Sequence, residues 1–240
     1  MTVGSCLFSG DTRWSLPTLL VLATTLPLHK YGSYIAQAND VYYSFIAARK
    51  AFCIISKDWM SVGHSQGGAA VWKLSESGLV GHDNHFLGTV SLAPAARLWS
   101  MFQRNLKTEG AFLGYAPYHA KALQRVFPDY NLTLCFNGLM SISADLTSDE
   151  IVSSTGLAQD NAKFQQWKAE MGPATAGHRS SNKPVLVVQG LNDTAVLAQS
   201  TREVYENACK IGSEVHLVEY MAMEHSPVIA ASEPAMACLG

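Results

Sequence analysis

The chain has 240 residues, 17 basic and 19 acidic side chains and a formal charge of -2 at pH 7, which excludes the concentrated positive face that nucleic acid binding requires. Hydrophobic residues make up 48% and charged residues 15%, below the roughly 25% charged of an average soluble protein. A chain of this length buries a sizeable core in one domain, without help from disulfides or metal.

The longest apolar stretch, Leu16 to Leu28, is interrupted by prolines and threonines and falls short of the roughly 20 residues that span a bilayer. A signal-peptide core would look similar. Asp11 and a lone Arg13 precede the stretch, however, and no Ala-x-Ala site follows, so a buried strand at Leu19–Thr24 is the preferred reading. Asn39-Asp40 offers an N-cap for a helix at Val41–Phe52, where Val41, Phe45, Ile46 and Ala48 share a face. A short strand, Trp59–Val62, then runs into Gly63-His64-Ser65-Gln66-Gly67-Gly68. A helix through Ala69, Val71, Trp72 and Leu74 to about Gly78 comes next, and Phe86–Leu92 is a further apolar strand. Strands alternating with helices argue for an α/β class with a mainly parallel sheet.

From Ala95 to Lys183 strand-like alternation is scarce, and helical spacings dominate, as in Met101–Leu106 and Ala162–Met171. This segment is expected to be a mostly helical insertion over the sheet. The strand rhythm returns at Pro184–Gln189, followed by a helix at Thr201–Cys209, a strand at Glu214–Tyr220 and a short helix from Pro227. The expected organisation is thus an N-terminal core portion (1–94), a lid or cap insertion (95–183) and a C-terminal core portion (184–240).

Gly63-His64-Ser65-Gln66-Gly67 matches Gly-x-Ser-x-Gly. A serine hydroxyl is a poor nucleophile, and a sharp strand-to-helix turn is one way to hold it where a histidine can reach it. Gly63 and Gly67 are expected to permit that turn because a Cβ there would crowd the backbone. The Gln66 amide would then face a developing oxyanion, aided by the positive end of the helix. The bare pattern also occurs in ordinary glycine-rich turns. Here an apolar strand precedes it and a small-residue helix follows, as the chemistry requires.

A nucleophile on such an elbow needs an acid and then a base later in the chain. Asp193 follows the apolar strand at Pro184–Gln189 within Gly190-Leu191-Asn192-Asp193-Thr194, well placed to orient an imidazole. His225 follows the strand at Glu214–Tyr220 in a loop before a helix, where a general base belongs. His216 lies within a strand, His64 sits on the elbow itself, and His82 and His85 precede a strand. The less favoured reading of Asp193 is a turn aspartate capping the next helix.

His82-Asp83-Asn84-His85 supplies two imidazoles but no nearby third ligand, so a polar loop is preferred over a metal site. The cysteines Cys6, Cys53, Cys135, Cys209 and Cys238 include no Cys-x-x-Cys pair. Cys209 and Cys238 are left as either a disulfide or two buried small apolar residues. Asn131-Leu132-Thr133 is a candidate glycosylation sequon. Asn192-Asp193-Thr194 is discounted because a glycan would block the proposed acid.

The segments Ala36-Gln37-Ala38-Asn39-Asp40-Val41-Tyr42-Tyr43-Ser44 and Ser56-Lys57-Asp58-Trp59 lead to the Gly-His-Ser-Gln-Gly-Gly elbow. With Gly88-Thr89-Val90-Ser91-Leu92-Ala93-Pro94 and His225-Ser226-Pro227-Val228-Ile229, the chain resembles the fungal secretory lipase family from Ala36 onward, shortened at both ends. That resemblance implies an α/β-hydrolase fold and a lipase or esterase triad of Ser65, Asp193 and His225, with a helical lid over an acyl-binding tunnel. It also implies secretion, a cytoplasmic location being the alternative since no clear signal peptide is visible. The family's Asp-Tyr-x-Gly-Leu-Gly-like segment, which supplies a second oxyanion contribution, is replaced here by Ala23-Thr24-Thr25-Leu26-Pro27-Leu28-His29-Lys30. The expected partner is a small-molecule or lipid ester, with transient contact to a lipid surface. No cofactor, no metal and no stable protein partner are expected. A non-catalytic binder of an apolar ligand, and an acyltransferase using the same three residues, stay open as alternatives.

Overall fold

The computed structural model describes residues 32–98 and 176–231. Within them four strands, β1 (Trp59–His64), β2 (Phe86–Leu92), β3 (Val185–Gly190) and β4 (Val215–Tyr220), form one sheet in that order. Helices α1 (Tyr34–Ala51), α2 (Gln66–Ser75), α3 (Gly78–Gly81), α4 (Ala198–Lys210) and α5 (Val228–Ala231) complete the described elements. Every neighbouring strand pair is parallel, with Val62 opposite Val90, Val90 opposite Leu186 and Val187 opposite Leu217. A parallel strand is covered on both faces, which explains why all six residues of β3 are buried and why it reads as an apolar run up to Gln189.

Alternate residues of β3 feed two cores, as the period of two demands. Val185 and Val187 pack with Trp72 of α2 and Val204 and Ala208 of α4. Leu186 and Val188 pack with Val90, Leu92 and Val228. A third cluster joins α1 to the start of β1 and β2 through Ala38, Trp59, Leu74 and Phe86. The Trp59 ring stacks on Phe45 at 4.2 Å between centroids and sits 4.7 Å from Phe86.

The helix expected at Val41–Phe52 begins earlier, at Tyr34. Tyr34, Gln37 and Ala38 are buried, and the Tyr34 hydroxyl donates to the Ala95 carbonyl. That packing adds a turn ahead of Asn39-Asp40, which lie exposed inside the helix and cap nothing. The helix after the elbow stops at Ser75, short of Gly78. Ser75 Oγ donates to the Trp72 carbonyl at 2.6 Å, and Ser77 caps α3 by accepting from the Leu79 amide.

The residues His82–His85 form a polar loop. Asp83 accepts from Trp59 Nε1 at 2.9 Å and from the His85 amide, while His85 Nδ1 pairs with Asp58 at 2.8 Å. No group of three metal-ligating side chains occurs among the described residues. Cys209 is a free, exposed thiol, neither of the two states expected for it. The strand expected at Leu19–Thr24, the helical spacings at Met101–Leu106 and Ala162–Met171 and the sequon at Asn131 lie outside the described residues. Among the described residues no helix is long and apolar enough to cross a membrane.

The turn from β1 into α2 depends on glycine, though not at both expected positions. A Cβ on Gly63 would overlap the Gly67 carbonyl and lie 2.9 Å from the Gly68 nitrogen. A Cβ on Gly67 would meet nothing within 4 Å, whereas one on Gly68 would lie 2.9 Å from the Leu92 carbonyl oxygen. Gly63→Ala is therefore expected to cost roughly 3 kcal/mol or more, because only backbone stands in the way. Gly67→Ala should be neutral or gain up to about 1 kcal/mol from reduced chain entropy. Thermal unfolding of the two variants checks this. The Gly63 variant should melt several degrees below the wild type and the Gly67 variant should not.

Candidate active site

Ser65, Asp193 and His225 each follow the carboxyl end of a parallel strand, where a sheet of this kind presents its helix N-termini and its crevice. Ser65 follows β1 directly and has φ 57° and ψ -119°. For a residue with a Cβ this backbone region costs about 1–3 kcal/mol. It is held there by three backbone bonds: Ser65 N donates to the Leu92 carbonyl, and Ser65 O accepts from the Ala69 and Ala95 amides. The strain turns the chain from strand to helix within one residue. Ser65 occupies the N-cap position of α2, yet its side chain makes no capping hydrogen bond.

The Gln66 amide opens α2, and such first-turn amides have no partner inside the helix. It makes no backbone hydrogen bond among the described residues. Those unspent donors, at the positive end of a ten-residue helix, suit a developing negative charge beside Ser65.

Asp193 and His225 meet. His225 Nδ1 lies 2.7 Å from Asp193 Oδ2, and the aspartate side chain is wholly buried. Every strong acceptor position of the carboxylate is used. Oδ1 accepts from the Ala195 amide at 2.9 Å and the Val196 amide at 2.7 Å, and Oδ2 also accepts from Gln189 Nε2 at 3.2 Å. A buried carboxylate so supplied is held in a single orientation. Asp193 does not cap α4, whose N-cap is Leu197 with no side-chain bond; its Oδ1 instead closes the turn at Asp193–Val196 ahead of that helix. With Nδ1 donating to Asp193, a neutral His225 ring carries its bare lone pair on Nε2.

Two glycine and glutamine positions that the sequence reading passed over build this pair. Gln189, fully buried at the end of β3, donates to Asp193 Oδ2, the Gly190 carbonyl and the Val196 carbonyl, and accepts from Thr201 Oγ1 at 2.7 Å. The signal was present, since a polar side chain closing an otherwise apolar buried strand must find partners. Gly190 brings the loop of His225 close. A Cβ there would overlap the Met223 carbonyl and lie 3.1 Å from Glu224 O, and the Asn192 amide donates to that same Met223 carbonyl.

His64, the last residue of β1, is half-buried. Its Nε2 lies 2.8 Å from the His225 main-chain oxygen, and the two rings are 4.5 Å apart. Burial pushes the His64 imidazole below its ordinary value, against the opposite pull of the His225 carbonyl. Among the described residues no hydrogen bond joins Ser65 Oγ to His225, whose bonds are to Asp193 and His64. His216 is exposed within β4, facing Glu214 at 3.7 Å.

No family model matches the sequence, and no curated protein matches it. Solved structures do. The rice cell wall degrading esterase LipA from Xanthomonas oryzae superposes with a TM-score of 0.68 at 17% identity, over 88% of this chain and 65% of that one. Candida antarctica lipase A superposes with a TM-score of 0.59 at 15% identity, over 82% of this chain and 51% of that one. The chain therefore spans less than two thirds of the length of these structures. The likeness establishes an α/β-hydrolase fold.

The buried amide of Gln189 gives a pH-dependent prediction. Gln189→Glu would place a second carboxylate against Asp193, raising the pKa of the pair in the folded state. A proton held more tightly by the folded chain adds stability as pH falls. The variant should therefore melt well below the wild type at pH 7, with the gap narrowing at pH 5. Gln189→Leu, which strands several buried partners at a cost of roughly 2–3 kcal/mol, should show no such narrowing. Thermal unfolding of both variants at the two pH values checks this.

Proposed function

We propose that the protein is a serine carboxylic-ester hydrolase with Ser65 as nucleophile, His225 as general base and Asp193 as the acid that orients it. The observation that carries this reading is a strained, uncapped serine on the same sheet edge as a hydrogen-bonded Asp193–His225 pair. Ser65 Oγ would attack the ester carbonyl carbon while its proton passes to His225 Nε2. The imidazolium so formed would be stabilised by Asp193, and the oxyanion by the Gln66 amide and the N-terminus of α2. Collapse would expel the alcohol, which takes the proton from His225 and leaves an acyl group on Ser65. Water activated by the same imidazole would then release the carboxylic acid and restore the serine.

The low charge of the chain and its resemblance to the fungal secretory lipase family favour an ester of a fatty or similarly apolar acid, encountered at a lipid surface. The same resemblance supports a secreted protein whose core, at 1–94 and 184–240, is interrupted by a lid at 95–183. Both structures reported above are described as an esterase and a lipase, which agrees with this class of chemistry. Transfer of the acyl group to an alcohol would use the same residues and differs only in what enters after the first alcohol leaves.

A fluorophosphonate should label Ser65, located by mass spectrometry of the adduct, and the label should vanish in Ser65→Ala and His225→Ala. Asp193→Asn should retain the fold and lose on the order of 10⁴-fold in kcat on a p-nitrophenyl ester. A series of p-nitrophenyl esters of rising chain length should show preference for the longer acyl groups. Undiminished ester turnover by folded Ser65→Ala would sink the reading.

A further inference from the structure

We propose that His64 is a positioning residue, whose Nε2–H bond to the His225 main-chain carbonyl ties the strand that ends at the nucleophile to the loop that carries the base. The inference rests on the reading of Ser65, Asp193 and His225 as a triad.

A carbonyl oxygen can only accept, so the 2.8 Å contact between His64 Nε2 and His225 O fixes the tautomer, with the proton on Nε2. The two residues are 161 positions apart in sequence. The other bonds of the base loop run in a different direction. Tyr220 O accepts from Leu191, Met223 O accepts from Asn192, and the His225 ring engages Asp193. These contacts fasten the loop to the turn after β3, which carries the acid. They make acid and base one unit but leave its distance from Ser65 to the strand between, since β1 and β3 are separated by β2. The bond from His64 crosses that gap directly, from the residue that immediately precedes the nucleophile.

Ring packing adds a second constraint. The imidazoles of His64 and His225 lie 4.5 Å apart at 46°, which limits rotation of the base away from the serine. The charged and titratable groups facing His64 are His225 and Asp193. Burial lowers the His64 pKa most, the His225 carbonyl raises it, and of the two facing groups His225 lowers it and Asp193 raises it. With the proton on Nε2 the neutral ring donates to the carbonyl, and a protonated ring would donate there as well. A displacement of about 1 Å at a reacting group can cost on the order of 10²-fold.

The full chain is compared with His64→Phe, His64→Asn and His64→Gln, with Ser65→Ala as the control. Phenylalanine keeps a ring but removes the donor, asparagine keeps an amide that is too short, and glutamine places an amide nitrogen near the position of Nε2. The expected result is a loss of about 10–100-fold in kcat for Phe and Asn, with KM within about threefold, and recovery to within about fivefold for Gln. The rate of fluorophosphonate labelling at Ser65 should follow the same order. If folded His64→Phe matches the wild type within twofold, or His64→Gln is as slow as His64→Asn, the proposal is overturned. The Gln and Asn variants keep the test decisive should the Phe variant fail to fold. If Ser65→Ala itself turns over esters undiminished, the triad reading fails instead, and the two failures are told apart.

Discussion

Gly63 and the Gly67 carbonyl approach so closely that no side chain fits between them, and the geometry of the whole carboxyl edge is set from this point. The approach fixes the direction in which α2 leaves β1. That direction leaves Ser65 at φ 57° as the one residue that absorbs the turn. It also buries most of α2, from Gly68 to Ser75, against the sheet. Gly68 completes the fit by lying against the Leu92 carbonyl, and Ser91 Oγ donates to the Gly68 carbonyl at 2.9 Å. Strand, helix and strained serine are in this sense one packing solution. A helix that started elsewhere would lose the first-turn amides beside Ser65 as well as its core contacts.

The far end of α2 is anchored by charge. Lys73 Nζ and Glu76 Oε2 pair at 2.9 Å with almost no exposure, and Glu76 Oε1 accepts from the Gly177 amide. Burial pushes the Glu76 carboxyl up, against the pull of Lys73. A buried pair of this kind adds little net stability but specifies one arrangement, because either partner alone would be stranded. The pattern matches that around Asp193, where Gln189 and two backbone amides leave the carboxylate one free direction, filled by His225. Among the described residues β1 and β2 also bury polar groups mid-strand, Ser61 and Thr89 pairing at 2.8 Å, while β3 is apolar from Val185 to Val188.

Much of this was legible in the sequence because it is local. The apolar runs at Phe86–Leu92 and after Pro184 gave β2 and β3 nearly to the residue, since a doubly covered parallel strand needs no alternation. Helix ends were less legible. The start of α1 depends on Tyr34 reaching Ala95, a contact between residues 61 apart that no local cap announces. Asn39-Asp40 was a strong capping signal overridden by burial of the preceding turn. The glycine pattern was right at Gly63 and wrong at Gly67, because the motif marks Gly67 while the packing of α2 against β2 marks Gly68. Gln189 and His64 illustrate the remaining gap. A buried polar residue signals that it has partners, but only the fold says that those partners are Asp193 and the loop of His225.

The order of the strands carries a consequence for synthesis. Ser65 is made early, on the first of the four described strands, and His225 follows the last of them. At cellular rates of roughly 5–20 residues per second, a growing chain carries the serine for on the order of ten seconds before the imidazole exists. Parallel pairing of segments this far apart is itself slow, because loop closure must precede contact. During that interval Ser65 has no His225 loop beside it, and the carboxyl edge is complete only after the late strands have docked. The topology thereby acts as a timer for assembly of that edge, which waits on the last strand of the sheet.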